Sequence, residues 1–249
     1  MGDSRFEKYG LSISQILKML NDGDIDHFEE IGRLSCKMTQ EYENALQWFS
    51  DVNGKELLNG KDKTEDNAIK GKALEDLVEV LFKATGNYFE VYRNIRNGTN
   101  EIDLFLRLSK KGRAMQNLIN KRYHELLCEC KNYSSTVTVT HVGKFCHLMQ
   151  STNINTGIMF SYNGLAGKGW SSATGLSKKI FLLKERPDEK LCVIDFKKED
   201  FDKILNGHSI FSILDDKYVQ LKMGIDDIYN YINREHPSEK YIEEMKASG

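Results

Sequence analysis

Several features are scarce in this 249-residue chain, and each scarcity excludes something. No window approaches the roughly 20 apolar residues that a membrane-spanning helix needs, so no membrane partner is expected. The opening residues Met1-Gly2-Asp3-Ser4-Arg5 lack a signal peptide's apolar core, and Phe6 stands where N-myristoylation asks for Ser or Thr. Charge of one sign is also missing: 35 Lys and Arg face 37 Asp and Glu, for a net charge of −2. That removes the global positive field of a protein that coats nucleic acid, though not a local basic groove. The five cysteines are scattered and odd in number, which points to free thiols in a reducing cytoplasm. Cys128, Cys130, Cys146 and His147 hint at zinc, but Cys-x-Cys in an apolar strand reads better as core packing. The Gly-rich stretch at Gly164, Gly167, Gly169 and Gly175 lacks the spacing of a phosphate-binding P-loop. Internal repeats and low-complexity tracts are absent.

What is present is an ordinary globular composition, 40% apolar and 29% charged, sufficient for one large domain or a core with an appendage. Residues 1–62 read as a helical N-terminal extension, with apolar residues at three- and four-residue spacing over Leu11–Leu20, His27–Thr39 and Glu41–Phe49. Asp51–Asp66, rich in Gly, Asn, Lys and Asp, reads as the linker into a core spanning 63–222. That core opens on a strong helix over Asn67–Ala84, ended by Gly86-Asn87. Strands follow at Tyr88–Asn94, Asn100–Leu108 and Glu125–Cys130. A helix is expected over His141–Thr152 and a compact strand over Thr156–Ser161. Next come a helix over Ala173–Leu183, a strand at Lys190–Phe196, and helical segments at Lys198–Leu205 and Gly207–Leu214. Residues 223–249 read as an acidic helical tail broken near Pro237. The order implies an α/β fold, a mixed sheet with helices on its faces.

Chemistry concentrates between Asn100 and Lys131. Residues i and i+2 of a strand share a face, so Glu129 and Lys131 project together while Cys128 and Cys130 pack on the other side. Asp103 points away from Ile102 and Leu104. If the two strands pair, an Asp, a Glu and a Lys converge. A hard divalent cation takes oxygen ligands and keeps several waters; it polarises a phosphoryl oxygen and lowers the pKa of water, while an adjacent ammonium offsets developing negative charge. The competing reading is an exposed strand with a surface Glu129–Lys131 pair of little worth.

Asp103 followed by Glu129-Cys130-Lys131 resembles the PD-(D/E)XK nuclease motif, and the segments after it, Val142-Gly143-Lys144-Phe145 and Thr156–Ser161, resemble its Mrr-like restriction-endonuclease branch. The resemblance covers residues 65–195 and implies a restriction-endonuclease-like mixed β-sheet flanked by helices. It implies a divalent-metal-dependent endonuclease acting on DNA, most simply double-stranded, in restriction or antiphage defence. Mg²⁺ is the implied cofactor, with Mn²⁺ as substitute, held by Asp103, Glu129 and the backbone carbonyl of Cys130. Lys131 takes the catalytic ammonium role. Glu75, on the upstream helix, is the family's supporting carboxylate, with Glu79 as alternative. A homodimer and partner proteins of a defence system are further implied partners. Glu-Ile-Asp departs from the usual Pro-Asp, and Glu129 follows Asp103 by 26 positions, so Ser109–His124 is read as an insertion with Met115, Leu118 and Ile119 at helical spacing. Groove candidates are Arg93, Arg96, Lys144, Lys168, Lys178 and Lys179; Gln150 faces either the site or solvent. Two alternatives remain open: a nuclease on RNA, branched DNA or DNA ends, and a non-catalytic module that binds DNA or a partner on the same fold.

Overall fold

The computed structural model describes residues 31–54, 63–96, 101–169, 171–186 and 189–225. The expectations for Leu11–Leu20, for the start of His27–Thr39 and for nearly all of the C-terminal tail lie outside these residues. Within them, seven helices and five strands form in the order α1 (Thr39–Gly54), α2 (Lys63–Ala84), β1 (Phe89–Arg96), β2 (Glu101–Leu108), α3 (Lys110–Ala114), β3 (Glu125–Lys131), α4 (Val139–Thr152), β4 (Thr156–Ser161), α5 (Ala173–Leu182), β5 (Cys192–Phe196), α6 (Lys198–Leu205) and α7 (Ile210–Met223). The expected mixed sheet is present: strand order follows chain order, with β1, β2 and β3 antiparallel and β3, β4 and β5 parallel.

Both faces of the sheet are covered, which is why β4 is buried at all six positions rather than alternating. One layer is built from α1, α2, α6 and α7 against Leu104, Leu106, Leu126, Cys128, Ile158 and Phe160 of the sheet. The other places Val142, Phe145, Cys146 and Met149 of α4, at the i, i+3, i+4, i+7 spacing of an amphipathic helix, against Leu127, Met159 and Val193. Gly157 permits this approach, because a Cβ there would lie 2.7 Å from the Phe145 ring and 2.8 Å from Met149 Sδ. Asn153, at φ 57°, ends α4 in the left-handed conformation that Asn tolerates.

Helix α1 joins this same core: Tyr42 is fully buried and its hydroxyl donates to the Phe201 carbonyl at 2.9 Å. Residues 31–38 are turns rather than the end of a helix. Gly32 at φ +88° and the Ser35 N–H bonded to the Ala84 carbonyl at 2.8 Å direct the chain across the end of α2. The Ser109–His124 segment is also less helical than its spacing suggests. It holds the five-residue α3 and a 3₁₀ turn over Lys121–Tyr123, fixed by the Ser109 and Asn120 side chains accepting from Gly112 N and Arg122 N. The insertion leaves the strand pairing intact, with Leu104 opposite Cys128 and Arg107 opposite Glu125.

Candidate active site

The local distortion of β2 singles out Asp103. Pairing of β1 with β2 is continuous except between Arg93–Leu104 and Ile95–Ile102, where Asn94 and Asp103 drop out and Asn94 takes φ 50°. Pairing of β2 with β3 ends at Leu104–Cys128. Beyond that point the Cys130 N–H is taken by the Asp103 carboxylate, with Oδ2 accepting at 2.8 Å. A charge-assisted bond of this kind fixes the carboxylate at the end of β3.

Lys131 joins the two acids. Its Nζ lies 2.5 Å from Glu129 Oε1 and 3.5 Å from Asp103 Oδ2. The three side chains are only 17–21% exposed, so this is not a solvated surface pair. Burial raises the Glu129 carboxyl above the usual carboxylate range, and the neighbouring Asp103 charge raises it further. Burial works against the Lys131 charge, but Glu129 and Asp103 outweigh it and hold the ammonium above the usual lysine range. The result is a pair of crowded carboxylates neutralised by one cation.

Glu75 is close enough for its charge to act on the buried Cys130 thiol, but its carboxylate accepts from Arg93 at 2.9 Å. Arg93 also donates to Asp76 at 3.0 Å and Glu79 at 2.7 Å. The structure thus corrects the groove reading of Arg93, which is clamped to the acidic face of α2. Arg96 pairs with Glu101 at 2.9 Å, and Lys178 reaches the Gly224 carbonyl at the end of α7. Lys144 and Gln150 are exposed on α4, and Lys168 is exposed in the loop between β4 and α5. The zinc hint dissolves, because Cys128 and Cys130 pack in one core layer and Cys146 in the other. Their thiols are pushed up by burial, that of Cys146 to about 11.

Two further side chains border the site. Tyr133 lies two residues past Lys131, and its hydroxyl stands 3.5 Å from His141 Nε2; Thr138 Oγ1 holds the other ring nitrogen at 2.9 Å. Asn163 donates to the Tyr133 and Ser134 carbonyls and Val137 pairs with Leu165, so the loop folds back and brings His141 towards β3. Burial and the positive charges of Lys131 and Lys144 hold His141 below the usual histidine range, leaving a neutral imidazole at neutral pH. The i+2 relation to Lys131 makes Tyr133 readable from sequence. His141 carries no such signal, since a loop closure places it.

Among the described residues, no three His, Cys, Asp or Glu side chains converge to enclose a metal ion. The donor chemistry nevertheless suits a hard divalent cation, which takes one or two carboxylates and completes its shell with water and phosphate. A raised carboxyl beside a second carboxylate is relieved by such a charge.

Comparison with curated proteins and with solved structures gives no match. A family model described as a restriction endonuclease, the Mrr-type catalytic domain, matches residues 67–187, from α2 past the end of α5. That span contains Asp103, Glu129 and Lys131 and four of the five strands. By this match residues 67–187 are a restriction endonuclease domain of the Mrr type, a member of the PD-(D/E)XK nucleases.

Proposed function

We propose that this nuclease is a divalent-metal-dependent endonuclease that hydrolyses phosphodiester bonds of double-stranded DNA. The observation that carries the reading is the half-buried Asp103–Glu129 carboxylate pair sharing the Lys131 ammonium. Asp103 and Glu129, with the Cys130 carbonyl, would hold Mg²⁺ or Mn²⁺. The bound ion supplies Lewis-acid polarisation of the scissile phosphate and lowers the pKa of the attacking water. Lys131, already cationic, orients that water and offsets negative charge developing on the phosphate. Asp103 is preorganised by the Cys130 N–H, so it needs no rearrangement to present its second oxygen. Glu75 serves as supporting carboxylate from α2, with Arg93 setting its orientation. The neutral His141 and the Tyr133 hydroxyl offer hydrogen bonds at the edge of the site.

The family match supports a restriction or antiphage role, in which partner proteins or a second copy would supply target recognition. Four buried unpaired thiols suit a reducing cytoplasm. The substrate class is tested by incubating purified protein with covalently closed plasmid, linear duplex, branched DNA and RNA, in Mg²⁺ and in EDTA. Nicking or linearisation of the closed circle in Mg²⁺ alone is the expected result. Cleavage confined to ends, branches or RNA, or cleavage persisting in EDTA, overturns it.

A further inference from the structure

The carboxylates do not line the main hollow at the insertion. A cavity of about 740 Å³ opens at the other end of β3, among the ends of β2 and β3, the start of β4 and the Ser109–His124 insertion. At about 3.3 Å per residue, the length of β3 separates it from Lys131 by roughly 20 Å. Its wall is strongly cationic: Arg107, Arg113, Lys121, Arg122 and Lys190 face it, against the single acid Glu125. In a chain of net charge −2, that imbalance is local to this hollow.

These cations are not equally available. Arg107 is paired with Glu90 at 2.8 Å, and one Arg113 nitrogen donates to the Leu108 carbonyl at 2.7 Å. Arg122 differs. Its guanidinium lies 3.3 Å over the Tyr218 ring and its Nε donates to Asn120 Oδ1 at 3.1 Å, while its Nη1 is buried without a hydrogen-bond partner. A buried donor left unmatched is unfavourable, and a guanidinium held rigid on an aromatic face is suited to an incoming phosphate. Lys121 and Lys190 stand beside it, with Lys190 resting over Phe181. The remaining wall combines rings and apolar groups (Phe181, Tyr218, Ile154) with the carboxamides of Gln116 and Asn153.

We propose that this cavity binds a nucleoside polyphosphate, with the phosphates on Arg122, Lys121 and Lys190 and the base against the Phe181 side. The volume lies in the range of small-molecule sites, and rings, carboxamides and unmatched cationic donors within one enclosure are the complement of a base joined to phosphates. The insertion that lengthens the connection between β2 and β3 thereby builds a binding site distinct from the carboxylates.

The test is calorimetric titration of the full chain in EDTA, with ATP, adenosine and inorganic tripolyphosphate as probes. EDTA keeps metal-bound nucleotide from the carboxylates. ATP is expected to bind saturably, at least tenfold tighter than adenosine and tighter than tripolyphosphate. The double variant Lys121→Glu/Lys190→Glu, changed at the cavity mouth and checked for native circular dichroism, is expected to weaken ATP at least tenfold. Glu129→Gln is expected to leave ATP binding unchanged. Absence of saturable ATP binding overturns the proposal, as does equal binding by the double variant. Displacement of ATP from the wild type by a 12-base-pair duplex, lost in the double variant, would assign the cations to backbone phosphates and overturn it as well.

Discussion

Replacing Lys131 with Ala removes the one cation shared by Asp103 and Glu129, and the cost can be bounded. The protein can always relieve the crowding by protonating Glu129, whose ordinary value is 4.5. At pH 7 that proton costs about 1.4 kcal/mol per unit of separation, or roughly 3 kcal/mol in all. The charge penalty therefore cannot exceed about 3 kcal/mol at pH 7, and it falls below about 1 kcal/mol at pH 5. At roughly 2–4 °C per kcal/mol for a chain of this size, Lys131→Ala should melt below wild type by at most about 6–12 °C at pH 7 and lie within a few degrees of it at pH 5. Glu129→Gln should act in the opposite sense. A carboxyl raised in the folded state favours folding while protonated, and that contribution is lost as pH rises through the raised titration. The Gln variant should therefore match or exceed wild type at pH 7 in EDTA. Mg²⁺ at a hundred times its dissociation constant should return about 2.7 kcal/mol to Lys131→Ala, and nothing to the double variant Asp103→Asn/Glu129→Gln. Thermal unfolding in EDTA and in Mg²⁺ at the two pH values reads all of this. A gap between Lys131→Ala and wild type that is equal or wider at pH 5 would refute the reasoning.

Other expectations concern the frame around the site. A thiol reagent should label one cysteine in the native protein, Cys36, and five after denaturation, since the other four are buried and burial raises the Cys192 thiol to about 12; rapid labelling of two or more would contradict the packing. Tyr42→Phe removes a buried hydrogen bond to Phe201 and should cost about 1 kcal/mol in urea unfolding; no loss would mean that α1 is not docked as described. Gly157→Ala presses a methyl against Phe145 and Met149 and should cost about 1–3 kcal/mol, whereas a neutral effect would show that α4 can withdraw from β4.

Where period and pairing determine structure, the sequence was readable. The i+2 relation put Glu129 and Lys131 on one face, and the apolar run Thr156–Ser161, read as a compact strand, is one, buried at all six positions. Long-range partners were not readable. The engagement of Arg93 with α2 joins residues 14 to 18 apart, and nothing in its neighbourhood separates it from a groove cation. The Ser109–His124 insertion is less helical than the spacing of Met115, Leu118 and Ile119 suggests: the helix that the Ser109 N-cap starts ends at Ala114, and the Asn120 N-cap then starts a separate 3₁₀ turn. Helix α7 runs past the expected Leu214 to Met223. Its second half exposes a polar face, and Leu221 is its one buried residue beyond Leu214, so the apolar periodicity fades before the helix ends.

The most direct measurement is the rate of cleavage of closed circular plasmid in Mg²⁺ by wild type and by Lys131→Ala, each confirmed as folded. If Asp103, Glu129 and Lys131 form the hydrolytic centre, the wild type cuts and the variant is slower by about 10²–10³-fold or more, in line with the loss of a principal transition-state stabiliser. Cleavage by Lys131→Ala at the wild-type rate would contradict that assignment.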